Sequence, residues 1–194
     1  MQSSNRKICI IAIIVLTMSS YAWTQNIPVT GESREDLETK IYLFRHAERN
    51  KGLDPPLNKT GLERANLMAA LLSDSGITAI YCTDLLRNRQ TAAPLARILK
   101  IKVNVFSEPY ITDARALADH FVSDVLPRHA GETILFIGNQ QSPGKIKMGN
   151  LQELYWKLGS NITPLTRYYD YYTVILRADS TLFRHGMYGL DLIE

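Results

Sequence analysis

Cysteine is nearly absent: the 194 residues hold two, Cys9 and Cys82. Cys9 lies inside an N-terminal apolar run, which leaves Cys82 alone in the rest of the chain and excludes an intramolecular disulfide framework. Cys82 closes the apolar stretch Ala79 to Cys82 and reads as a buried small hydrophobe. An excess of one charge is also lacking. The net charge is +3, and beyond Arg6 and Lys7 the basic and acidic residues nearly balance, 20 against 19. That balance argues against nucleic acid as a partner. No set of His, Cys and carboxylates shows metal-ligand spacing, so neither a metal nor another cofactor is expected. No repeat period appears, and nothing marks a second folded domain. What remains is 45% hydrophobic and 21% charged, enough apolar content to bury one core and too much for a disordered chain.

The first residues read as a targeting segment. Arg6 and Lys7 precede the apolar run Ile8 to Met18, followed by the small-x-small site Ser20-Tyr21-Ala22. This is the pattern of a secretory signal peptide, and the run is shorter than the roughly 20 apolar residues of a membrane span. The organisation expected is a signal peptide over 1–22, a polar tether over 23–39 and one domain over 40–194. The domain would then be secreted or periplasmic. The alternative is an uncleaved anchor that holds the exported domain at a membrane. Asn58-Lys59-Thr60 and Asn161-Ile162-Thr163 are glycosylation sequons, meaningful only in a host that glycosylates exported chains.

From residue 40 onward strand and helix signals alternate. Ile41 to Phe44, Thr78 to Cys82, Ile101 to Phe106 and Thr133 to Ile137 are strand-sized apolar runs. Between the first two, Thr60 with Glu63 has capping-box spacing, and Leu62, Ala65, Met68, Ala69 and Leu72 recur along one helical stripe up to Gly76. Leu86 to Lys100 reads as a second helix, with Pro94 either delaying its start or kinking it. Thr112 or Asp113 caps a third, with Leu117, Phe121 and Val125 inward and Pro127 at its end. A helix over Gly149 to Leu158 and a β-rich run over Tyr171 to Ala178 follow. Tyr168, Tyr169, Tyr171 and Tyr172 read as strand residues with one buried face. The alternation predicts an α/β fold, a three-layer α/β/α sandwich around a mostly parallel sheet.

In such sheets ligands bind outside the carboxyl ends of the strands. Arg45, His46, Ala47, Glu48 and Arg49 follow the first strand, and Thr83, Asp84 and Arg87 follow the second. Glu108 and Asp113 follow the third; Gly138, Asn139, Gln140 and Gln141 follow the fourth. Two guanidinium forks beside a histidine suit a phosphate dianion, because each fork offers paired donors matched to phosphate oxygens. A neutral imidazole there can attack phosphorus, and a nearby carboxylic acid can protonate the leaving group.

Tyr42-Leu43-Phe44-Arg45-His46-Ala47-Glu48 resembles the nucleophile signature of the histidine phosphatase (phosphoglycerate mutase-like) superfamily. Pro56 to Ala65, Ile80 to Ala92 and Gly131 to Gly138 resemble its following stretch, its second-arginine block and the strand before its second histidine, in family order. The resemblance implies that His46 becomes a phosphohistidine while Arg45 and Arg87 clamp the phosphoryl oxygens. It implies a general acid after the third strand, where Asp113 matches best and Glu108 second.

The sequence departs from the family where the second pocket histidine is expected: Asn139 stands there, followed by Gln140-Gln141-Ser142-Pro143. His120 sits in the third helix, His129 at the opposite end of the sheet, and His185 after the last expected strand, so none replaces it. As a neutral donor to phosphate, Asn139 weakens the pocket by on the order of 1–2 kcal/mol. Two readings follow from the resemblance. One is an exported, slow phosphomonoester hydrolase acting through His46. The other is a pseudophosphatase that binds a phosphorylated small molecule, phosphopeptide or protein partner without turnover. Specificity would lie in the loops over 51–58, 108–113 and 140–149.

Overall fold

The computed structural model describes residues 37–140, 149–160 and 167–190. The expected signal peptide, nearly all of the tether, the segment Gln141 to Pro143 and the sequon at Asn161 lie outside these residues. Six strands form one sheet: β1 (Thr39–Arg45), β2 (Ile77–Thr83), β3 (Val103–Phe106), β4 (Thr133–Gly138), β5 (Asp170–Leu176) and β6 (Thr181–Met187). Their order is β3-β2-β4-β1-β5-β6. The first four are parallel, and β5 runs antiparallel to both β1 and β6. The helices are α1 (Lys59–Leu72), α2 (Leu86–Leu99), α3 (Ala114–His120) and α4 (Asn150–Lys157).

Alternation along β1 divides the core into two. Ile41 and Leu43 pack with Leu117, Phe121, Leu151 and Leu154 beneath α3 and α4. Phe44, from the opposite face, packs with Met68, Leu72, Ala92 and Leu95 beneath α1 and α2. Side chains of successive strand residues point to opposite faces, so a strand covered on both sides must be apolar throughout. The expected mostly parallel α/β fold is therefore the observed one. Cys82 is buried in the second of these cores. Burial pushes its thiol up to about 12, which makes it an inert packing group.

Several boundaries differ from expectation. The cap of α1 is Asn58, not Thr60: its Oδ1 accepts from the Gly61 backbone N–H at 2.8 Å. The helix starts early because Gly61 is pressed onto the segment after β1, where a Cβ would stand 1.9 Å from the Glu48 carbonyl oxygen. The same cap engages the amide of the first sequon. Pro94 does not delay α2, which begins at Leu86 and runs through it. After α3 the backbone passes into a π-turn over Phe121–Val125 and a 3-10 turn over Leu126–His129, so Pro127 lies within the last turn. β6 was not expected from the sequence. It is an edge strand, largely exposed on both faces, and so carries no alternation of apolar and polar residues.

Candidate active site

Arg45 ends β1 and His46 begins the turn beyond it, at the carboxyl edge of the sheet. The His46 backbone N–H donates to the Gly138 carbonyl at 3.0 Å, joining this turn to the end of β4. Gly138 is required there, since a Cβ would stand 2.4 Å from Asn150 Oδ1. Asn150, at the start of α4, accepts from the Asn139 backbone N–H at 2.6 Å and so fixes the residue after β4. From β2, Thr83 leads into the first turn of α2, which carries Arg87. Arg45, His46, Arg87 and Asn139 are thus brought to adjoining strand ends.

The state of His46 follows from one contact. Its Nδ1 lies 2.8 Å from the Ala47 carbonyl oxygen. A carbonyl can only accept, so Nδ1 bears the hydrogen and Nε2 keeps the lone pair. The ring is 4% exposed. Burial, with Arg45, Arg87 and Arg49 around it, lowers the imidazole to about 3. The residue is a neutral base over the whole working range. Burial also lowers Arg45 and Arg87, and Arg49 depresses both further. Arg49 was read from sequence only as a residue of the turn. Its charge acts on all three groups, while its Nη1 donates to the Asn50 carbonyl at 3.1 Å in an exposed contact.

This burial has a stability consequence. An unfolded histidine titrates near 6.5, so between about pH 6.5 and pH 3 the unfolded chain binds one proton more than the folded one. Stability from this residue is complete above pH 6.5 and falls by roughly 1.4 kcal/mol per pH unit as the pH drops through that window. Urea midpoints measured from pH 7 to pH 4 should fall more steeply for the wild type than for His46→Gln. Parallel curves would mean that His46 is not held neutral by the fold.

Asn139 does something the sequence did not suggest. Its Oδ1 accepts from Arg87 Nε at 3.2 Å, and its Nδ2 donates to Thr83 Oγ1 at 3.2 Å. Thr83 in turn accepts from Asn88 Nδ2. The amide therefore clips Arg87 to the end of β2. Arg87 is held on its other side by Asp54, whose carboxylate lies 3.4 Å from Nη1 and also accepts from the Leu86 N–H at the start of α2. Glu48 is turned to Arg64, which holds it in a side-on ion pair with contacts of 2.7–2.8 Å, while its charge still favours the charged form of Arg45.

The two candidate acids are both exposed and both engaged locally. Asp113 caps α3, its Oδ1 accepting from the Ala116 N–H at 2.9 Å. Glu108 accepts from Thr112 Oγ1 at 2.8 Å. Among the described residues neither is hydrogen-bonded to His46 or Arg87. The remaining histidines lie elsewhere. His120 stacks on Tyr110. His129 bridges Tyr81 and Glu132 at 2.7 Å each. His185 sits on β6, rather than beyond the last strand, and pairs with Asp170 at 3.0 Å. Tyr171 and Tyr172 lie on β5 as expected, but Tyr168 and Tyr169 precede it, and Tyr168 turns toward the cleft.

Among the described residues no group of three or more His, Cys, Asp or Glu could hold a metal ion, and no helix is long and apolar enough to cross a membrane. The 8-oxo-(d)GTP phosphatase of Mycolicibacterium smegmatis is 34% identical over 95 residues, 45% of this chain; the chain spans 29% of that protein's length. The protein histidine phosphatase SixA, solved with tungstate, superposes with a TM-score of 0.61 at 18% identity, covering 79% of this chain and 99% of that one. A phosphoserine phosphatase from Entamoeba histolytica, solved with 3-phosphoglyceric acid, superposes with a TM-score of 0.53 at 15% identity, covering 79% and 98%. The sequence match to a family spans residues 41–109, which run from β1 to just past β3 and include Arg45, His46 and Arg87. Residues 41–109 match the histidine phosphatase superfamily (branch 1), and the sheet that carries them has the fold of solved histidine phosphatases.

Proposed function

We propose that this domain hydrolyses phosphomonoesters through a phosphohistidine at His46. The observation that carries the reading is the Nδ1 to Ala47 hydrogen bond, which leaves Nε2 of a buried, neutral imidazole as the nucleophile among three guanidinium groups. Nε2 attacks phosphorus as the bond to the leaving oxygen breaks. Arg45 and Arg87 hold the phosphoryl oxygens, where charge gathers in the transition state. Asp113, or Glu108 in its place, gives a proton to the leaving alcohol. Water then takes the phosphoryl group from the histidine. The substrate is a phosphorylated small molecule, and the signal-peptide pattern of residues 1–22 supports export of the domain to meet it.

The experiment is phosphate release from an aryl phosphate, with trapping of the phosphoenzyme. A phosphoramidate on histidine is labile in acid and stable in base, opposite to a serine phosphoester. Acid-labile label that disappears on chase with unlabelled substrate supports the reading; turnover without any phosphoenzyme sinks it.

A second reading, phosphate binding without turnover, is favoured by Asn139 standing in the histidine's place. Two substitutions separate the readings. Asn139→Ala frees Arg87 and should lower turnover about tenfold, the effect of one charge-assisted hydrogen bond. Asn139→His restores a cationic donor and should raise turnover roughly 5- to 30-fold, equivalent to the 1–2 kcal/mol between neutral and charged hydrogen bonds. A silent wild type made active by Asn139→His would identify a decayed pocket. An active wild type unaffected by Asn139→His would show that neither the amide's clip on Arg87 nor a cationic donor at this position limits turnover.

A further inference from the structure

The antiparallel course of β5 brings the chain back to the carboxyl end of β1, where Phe44 pairs with Tyr171. Just before this strand stands Tyr168. Its ring lies beneath the Arg45 guanidinium, with Cζ 4.1 Å from the centroid. The same ring is 5.8 Å from that of His46 at an interplanar angle of 54°. Two of the residues that define the cleft are therefore in contact with one aromatic side chain.

The segment that presents Tyr168 is itself held on both sides. Arg167 pairs with buried Asp170 at 2.9 Å and lies over the Tyr169 ring at 4.8 Å. The Tyr169 carbonyl accepts from the Tyr188 N–H at 3.0 Å. The Tyr168 ring is thus set against the arginine that ends β1 and the histidine that follows it. A phenol offers one O–H donor, neutral and aimed by a rigid ring.

Building on the phosphatase reading above, we propose that Tyr168 is a catalytic residue of this site: its ring sets the plane of Arg45, and its hydroxyl donates to the phosphoryl oxygen held between Arg45 and Arg87. It adds a neutral donor to the cleft beside Asn139, whose amide is bonded to Arg87 and Thr83. No proton is transferred. The hydroxyl donates a hydrogen bond that shortens as charge builds on the equatorial oxygen. A cation stacked on an aromatic face also loses little freedom on binding, which fits a fork that must meet phosphate in one orientation.

The test uses Tyr168→Phe and Tyr168→Ala in the full chain, with two readouts. Tungstate affinity, by calorimetry, requires no turnover and therefore tests Tyr168 even if the phosphatase reading fails. Tungstate also has no aromatic leaving group that could stack on the ring. The second readout is kcat and KM for an aryl phosphate. Tyr168→Phe keeps the ring and should weaken tungstate about fivefold and lower kcat about tenfold, with KM changed less than kcat. Tyr168→Ala should cost about a hundredfold in kcat/KM. Urea midpoints check that both variants are folded, and the half-buried position outside β5 predicts that they are. Tyr168→Phe indistinguishable from wild type in both readouts overturns the proposal, whatever Tyr168→Ala does. So does a loss in Tyr168→Phe confined to KM, with tungstate affinity unchanged.

Discussion

His46→Ala is expected to lower phosphate release by at least about a thousandfold and to abolish the acid-labile phosphoenzyme. Removing a covalent nucleophile removes the pathway itself, and what remains is the slower catalysis by charge and positioning alone. The loss should fall on kcat, because the guanidinium groups of Arg45 and Arg87, proposed to hold the phosphoryl oxygens, are untouched. Tungstate should therefore still bind to His46→Ala with affinity near that of the wild type. The fold should hold as well: the contact joining this turn to β4 is made by the backbone N–H of residue 46, which alanine keeps. Turnover within tenfold of wild type would remove His46 from the mechanism. A folded variant with lost tungstate affinity would make the imidazole a binding group instead.

The largest effect on stability is expected at Arg64. Its side chain is 1% exposed and makes a side-on pair with Glu48 through Nε and Nη2. Nη1 reaches the carbonyls of Tyr188 at 3.3 Å and Gly189 at 3.1 Å. Arg64→Met fills the volume but strands a largely buried carboxylate and two carbonyl oxygens. Breaking a buried pair from one side costs about 3–5 kcal/mol. For a domain of this size that lowers the melting temperature by on the order of 10 °C. Activity should fall with it, since Glu48 lies two residues beyond His46. Adding Glu48→Leu to Arg64→Met should recover much of the loss, because an apolar pair replaces an orphaned charge. A cost below about 1 kcal/mol for Arg64→Met, or no recovery in the double variant, would show that the pair does not hold the catalytic turn to α1.

The central strands were legible because burial on both faces makes them apolar throughout, as in Ile41 to Phe44 and Thr133 to Ile137. β6 was not, because Thr181–Met187 is an edge with neither face fully covered. The cap of α1 was misplaced by two residues: Thr60 and Glu63 have the capping-box spacing, but the approach of Gly61 to the Glu48 carbonyl governs where the helix starts. Arg45, His46 and Arg87 were legible from the strand-end rule together with the family blocks. The contacts that shape their surroundings were not. Asn139 meets Arg87 across 52 residues, and Tyr168 reaches Arg45 from a segment that no local pattern links to β1. Arg49 was in plain view in the same turn, yet charge in a turn is ordinarily solvated, and its influence on His46, Arg45 and Arg87 follows only from the folded arrangement.

The reach of Arg64 to Tyr188 and Gly189 spans 124 and 125 residues. Pairings this distant close last, because the loop entropy must be overcome before the contact contributes. The turn bearing His46 is made early in synthesis, but the carbonyls that lock its supporting helix come from the far side of β6. Until those residues have emerged and docked, the Arg64 guanidinium is tied only to Glu48, and the turn lacks part of its brace. The support of the turn bearing His46 is therefore completed only by residues made long after it: a short local turn depends on a partner more than a hundred residues away.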